Sequence, residues 1–289
     1  MAKSLSEHPE INERDPNKWA DYWEIRCIAS IEKQFRRDDI LNLIQDSSIG
    51  TSGDDGSTDA IYSGNNAGEK TDEIRSKIDD WYNIVQSRAS LFGSSYPFNI
   101  DEFGISLKSR RVQSRNLYLV LLLSSNLDYA QNFMSDLTDW FEVFSAGITK
   151  KMYPTNKFAQ IYKFGKGKNL TNNRYSGTVL EKLKKLKTDL HLEFTKTFDA
   201  DCNQPGFISK YSTGDYGLDI VAWLDYGDNE SMSPFLFGQC ACGQNWENKQ
   251  FEAHHTVWQN IFEFHNPPQT ALYIPRSWRR TDGKFRFFC

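Results

Sequence analysis

A chain of 289 residues with 39% hydrophobic and 14% aromatic side chains has enough apolar material for one large or two modest domains, which excludes global disorder. Its net charge of -4 is unremarkable for the whole chain but hides an uneven distribution of basic residues. The five cysteines, Cys27, Cys202, Cys240, Cys242 and Cys289, are odd in number and irregularly spaced. This speaks against a disulfide framework and for a reducing, cytoplasmic setting. The polar N-terminus has no apolar signal core, and the longest apolar run (117–123) is far shorter than the roughly 20 residues of a bilayer span, so no membrane partner is expected.

Asp15-Pro16 forms a helix start, with Trp19, Trp23, Arg26 and Cys27 following at helical spacing. This predicts a helix reaching the stretch 32–39 and a second one over 38–46. The segment 46–70 is rich in Gly, Ser, Asn and Asp, which predicts a long flexible loop. Residues 71–86 read as helix, 96–108 as loop or strand, and 115–126 and 128–153 as apolar-rich helices. Residues 1–150 are therefore expected to be a mostly helical N-terminal domain. It shows no internal repeat and no catalytic constellation, and its aromatic content suits docking of a partner protein or a second copy.

Residues 151–289 read differently. Val179, Leu183, Leu186, Leu190 and Phe194 step by 4, 3, 4 and 4, an amphipathic helical stripe. Strands are predicted at 206–212, 218–226 and 234–241. A long helix is predicted at 245–265, and a last strand at 270–276. The expected fold class is α+β, with a helical domain followed by an α-β-β-β-α-β unit.

Four residues carry candidate chemistry in this half. Asp219 opens a strand after the turn "GDYGLD", and Gln239 ends the next strand. Paired strands lie about 4.8 Å apart, so the two side chains can share one site. Their oxygens are hard donors suited to Mg²⁺ or Mn²⁺. Glu193 falls seven residues after Leu186 and near the apolar face, where a carboxylate needs a partner. Lys249, aligned with Ala253 and Val257 on the inward helix face, can point at the strand ends.

This order, with "GDYGLD" at 214–219 and Gln239-Cys240-Ala241 ending the third strand, resembles the PD-(D/E)XK nuclease superfamily, in its Mrr-like restriction endonuclease branch. The resemblance covers roughly residues 178–276. It implies a restriction-endonuclease-like core that hydrolyses DNA phosphodiester bonds with Mg²⁺ (or Mn²⁺), in bacterial restriction or anti-phage defence. Asp219, Gln239 and Glu193 would then be metal ligands. The family's usual lysine position is Ala241, and Lys249 on the following helix would replace it. The alternative is a catalytically degenerate nuclease fold that binds nucleic acid or a protein.

Twelve Lys and Arg lie between 150 and 196 against three acids, which suits phosphate contacts. Each feature also has a plainer reading: Asp219 as a turn cap, Glu193 as a solvated helix edge, Lys249 as a snorkelling side chain, the basic run as a solvated face. Zinc held by Cys202, Cys240, Cys242 and His254 or His255 is a competing arrangement, although the spacing is not a usual zinc pattern and core thiols are the simpler account. No Walker A loop, dinucleotide fingerprint or nucleophile elbow is present.

Overall fold

The structure, a computed structural model, describes residues 4–5, 7–49, 67–110, 112–153, 157–165, 174–198, 214–228, 233–243 and 246–276. The predicted strand at 206–212, most of the 46–70 loop, and Cys202 and Cys289 lie outside the described residues. The chain is mixed α+β and divides into two compact units, Met1–Gln131 with Arg276–Cys289, and Asn132–Pro275. The division therefore falls near residue 131 and not at 150, because the helix preceding residue 152 packs on the strands that follow it.

The first unit contains α1 (Asn17–Ala29), β1 (Gln34–Arg36), α2 (Arg37–Ile49), α3 (Ala67–Phe92), β2 (Phe98–Ile100), β3 (Gly104–Leu107) and α4 (Gln113–Ser125). Asp15 serves α1 as expected, accepting the Asn17 N–H at 3.1 Å. The helix stops at Ala29, earlier than the predicted 32–39. Ser30 turns extended there, and its hydroxyl bonds the Cys27 carbonyl and accepts the Gln34 N–H, releasing 34–36 into a strand. β1 and β2 flank β3 in an antiparallel sheet. Trp19 and Trp81 stack with ring centroids 4.1 Å apart, at the centre of a core that includes Trp23 and Tyr82.

Inside this unit runs a buried polar network absent from the sequence expectations. Glu24, fully buried, accepts from Tyr96 at 2.7 Å and Tyr118 at 2.9 Å and pairs with Arg88 at 3.1 Å. Arg88 also pairs with Asp21 at 2.7 Å, and Asn126 donates to Asp21 at 2.9 Å. Burial pushes the Glu24 carboxyl up, while Arg88 opposes that shift. The network ties α1, α3 and α4 together.

The second unit opens with α5 (Met134–Met152) and β4 (Ala159–Lys163), continues with α6 (Val179–Asp189), β5 (Glu193–Phe194), β6 (Ile220–Leu224) and β7 (Phe235–Cys240), and closes with α7 (Trp246–Lys249), α8 (His255–Trp258), β8 (Phe262–Glu263) and β9 (Gln269–Tyr273). The main sheet has the order β4-β6-β7-β9, antiparallel across β4/β6 and β6/β7 and parallel across β7/β9. Helix α5 packs on β4, β6 and β7. On the other face Val221, Trp223, Phe235 and Phe237, alternate residues of β6 and β7, share a cluster with Leu183, Leu186 and Trp258. The helix heading the sheet is thus α5, with β4 as the first strand. The amphipathic helix α6 is inserted between β4 and β6.

Two helix expectations fail for local reasons. Helix α6 begins with a capping box, Thr178 accepting the Glu181 N–H while Glu181 accepts the Thr178 N–H at 2.7 Å. It ends at Asp189, before Phe194. His191 adopts a left-handed φ of +51°, the Leu192 N–H reaches the Lys187 carbonyl at 3.0 Å and the His191 N–H reaches Thr188. That is a Schellman stop without the usual glycine. The expected helix over 245–265 is broken into the short α7 and α8 followed by β8.

Candidate functional site

The site forms where β6 and β7 start and end side by side. The Asp219 N–H donates to the Gly238 carbonyl at 2.9 Å, and the Cys240 N–H donates to Asp219 Oδ2 at 2.6 Å. Asp219 is thus tied to the backbone on either side of Gln239, and Asp219 and Gln239 are both 4% exposed. Gln239 Nε2 reaches only the Cys240 carbonyl, at 3.4 Å, and its Oε1 has no hydrogen-bond partner. A buried carbonyl oxygen left without a donor costs about 1–3 kcal/mol, which leaves this atom open to a donor or a cation.

The turn "GDYGLD" shapes the entry to β6. The Leu218 N–H bonds the Asp215 carbonyl at 3.1 Å, and the Gly217 N–H bonds Asp215 Oδ1 at 3.0 Å. Tyr216 and Gly217 both sit at positive φ, +55° and +75°. A Cβ on Gly217 would lie 2.6 Å from Glu252 Cβ, so this position needs glycine for both conformation and space. The buried Lys182 of α6 donates to the Gly214 carbonyl at 2.9 Å and holds the base of the turn.

Three carboxylates converge beside Gly165, which follows β4. From the position a Cβ would take on that glycine, Glu142 Oε2 is 3.4 Å away, Asp219 Oδ1 3.6 Å and Asp215 Oδ2 3.7 Å. Any two of these oxygens are then at most about 7 Å apart by the triangle inequality. A side chain on residue 165 would fill this space.

The electrostatics follow from that crowding. Burial and the neighbouring Glu142 push the Asp219 carboxyl up to about 8, with Asp215 adding to the rise and the Cys240 N–H and the Lys249 ammonium opposing it. Burial likewise raises Glu142, which Lys163 pulls back down. Lys163, on β4, is 4% exposed and pairs with Glu142 at 2.7 Å and with Asp139. Its ammonium is held charged by these two partners against the effect of burial.

The sequence-predicted residues fare differently. Asp219 and Gln239 are both buried near the adjoining strand ends, and the charge of Lys249 acts on Asp219 although its helix is only one turn long. Glu193 is not on a helix. It lies in β5 opposite Glu263, its side chain 74% exposed and paired with Lys187 at 2.7 Å, which satisfies it at the surface. Glu142, Asp215 and Lys163 were missed. Asp215 lies in the "GDYGLD" turn and Lys163 in the basic run, and the trace of Glu142 is the stripe Asp139, Glu142, Ser145, Thr149 on α5, polar residues stepping by three and four as on a solvent face. Asp139, Ser145 and Thr149 are buried instead.

Part of the basic run is engaged within the unit, while Lys150, Lys151, Lys157, Lys184 and Lys196 are exposed. Lys163 and Lys182 are buried, Arg174 and Lys185 pair with Asp189, and Lys187 pairs with Glu193. Lys166 and Lys168 lie outside the described residues. Cys240 is buried, and burial pushes the Cys242 thiol up to about 12, the behaviour of core thiols.

Among the described residues no group of three or more His, Cys, Asp and Glu is set to hold a metal ion by itself. Mg²⁺ does not require such a cage, because it keeps several waters and takes one or two carboxylates with substrate phosphates. The unpaired Gln239 oxygen and the carboxylates gathered beside Gly165 are hard oxygen donors of the kind that open mode uses. No family model, curated protein or solved structure matches this chain. Among the described residues no helix is long and apolar enough to cross a membrane.

Proposed function

We propose that the second unit is a metal-dependent nuclease that hydrolyses DNA phosphodiester bonds, acting in the bacterial cytoplasm in restriction or anti-phage defence. The observation that carries this reading is the buried Asp219 gathered with Glu142 and Asp215 beside Gly165, with the orphaned oxygen of Gln239 at the end of the adjoining strand. The order α5-β4-β6-β7-α7/α8-β9 supports it, since it follows the α-β-β-β-α-β order implied by the resemblance once α6 is treated as an insertion.

Asp219, Glu142 and Gln239 would hold Mg²⁺ or Mn²⁺, which when bound polarises a phosphate and acidifies a water. The chain's own groups set up the rest. Asp219, kept oriented by the Cys240 N–H, would bind the cation as the carboxylate. Lys249, whose charge lowers the Asp219 carboxyl, would steady an attacking water or a developing negative charge. Glu193 has no part in this set.

One observation favours a second reading, a degenerate nuclease fold that only binds nucleic acid or protein. Ala241 is fully buried where the family carries its lysine. Cleavage of plasmid and linear DNA in Mg²⁺, Mn²⁺ or EDTA separates the two. Metal-dependent cutting by the wild type, lost in Asp219→Ala and Glu142→Gln, supports the enzyme. Binding of DNA without cutting supports the second reading.

A further inference from the structure

We infer that Lys163 is a tethered cation that occupies Glu142 in the metal-free protein and hands it over when a divalent ion binds. The inference rests on reading the carboxylate cluster as a metal site. Its basis is a single shared atom. Glu142 Oε2 is the oxygen that ion-pairs with Lys163 at 2.7 Å, and it is also the oxygen that lies with Asp219 and Asp215 around the Gly165 Cβ position. A divalent ion drawing on that oxygen competes with the ammonium for its lone pairs and repels it at short range.

Lys163 has somewhere to go. Asp139, one turn before Glu142 on α5, is its second partner, so the ammonium keeps a buried counterion after releasing Glu142. The lysine cannot withdraw to solvent, because its side chain is 2% exposed. Two acceptors at i and i+3 on one helix, a buried ammonium between them, and one acceptor turned to the carboxylate cluster are the parts of a charge exchange. Without a metal, the ammonium offsets the repulsion among the acids. With one, the exchange opposes loading, so Lys163 sets the threshold concentration at which the site fills.

Lys163 is thus a positioning residue, and its role separates from plain structural support by the direction of its effect on metal affinity. The test is calorimetric titration of Mn²⁺ into the full chain, with Mn²⁺-induced shifts of thermal unfolding read in parallel. Lys163→Met removes the competitor and should bind Mn²⁺ about tenfold more tightly than wild type. It should also melt lower without metal and gain more from its addition. Lys163→Arg keeps the charge and should stay near wild type. If Lys163→Met fails to fold, the double variant Lys163→Met, Asp139→Asn removes the stranded Asp139 charge and should still bind more tightly than wild type. Affinity equal to or weaker than wild type in these Met variants overturns the inference while leaving the metal site standing. Absence of Mn²⁺ binding by the wild type overturns both.

Discussion

Replacing Asp219 by Asn tests the site's electrostatics without any assumption about substrate. The amide is isosteric, and its oxygen can still accept the Cys240 N–H, but it does not titrate. In the wild type the carboxyl is displaced from an ordinary 3.8 to about 8, chiefly by burial and then by Glu142. At about 1.4 kcal/mol per pKa unit the full displacement is on the order of 6 kcal/mol. Relaxation and water entry reduce such buried penalties, so about 3 kcal/mol is the expected readout. The sign follows from proton counting. Below pH 4 both folded and unfolded chains carry the proton, and the contribution is fully present. As pH rises toward 8 the unfolded chain releases it and the folded chain retains it, so stability is lost across that window. Urea unfolding in EDTA between pH 5 and 8.5 should show the wild type losing stability relative to Asp219→Asn by about 3 kcal/mol. Millimolar Mn²⁺ should shrink that loss by replacing the proton. A wild-type-minus-variant difference that stays constant with pH refutes the reasoning, since Asp219 would then be ionised in the folded protein.

Gly217→Ala puts a Cβ at positive φ and against Glu252, and should cost about 2–3 kcal/mol in urea unfolding; a neutral result would mean that the turn relaxes. Glu193→Ala removes only an exposed pair, so stability should move by less than about 0.5 kcal/mol and DNA cleavage should be unchanged. Loss of cleavage in that variant would return Glu193 to the site. Glu24→Gln strips the buried Arg88 of one counterion and should destabilise the first unit by about 3 kcal/mol, measured by thermal or urea unfolding. An unchanged midpoint would show that Asp21 alone suffices for Arg88.

What the sequence determines by itself is what local chemistry encodes. The stripe from Val179 to Leu190 and the Thr178/Glu181 box specify α6, because period and cap both act within a few residues. The pairing of β6 with β7, which sets the strand ends carrying Asp219 and Gln239 next to each other, is legible because both are apolar strands bounded by turns. The end of α6 is not legible, since His191 takes a left-handed turn that its residue type does not announce. Nor is the role of Glu142 or Lys163. The stripe Asp139–Thr149 has the pattern of a solvated helix face, and only packing of α5 against β4 and β6 turns it inward. Lys163 reads as one more base in a basic run until β4 carries it between Asp139 and Glu142. A charge's local sequence says little about its partners. Which charges become buried is decided by the surfaces that the tertiary fold closes, and here that closure takes lysines out of the apparent nucleic-acid face and assembles the acidic site.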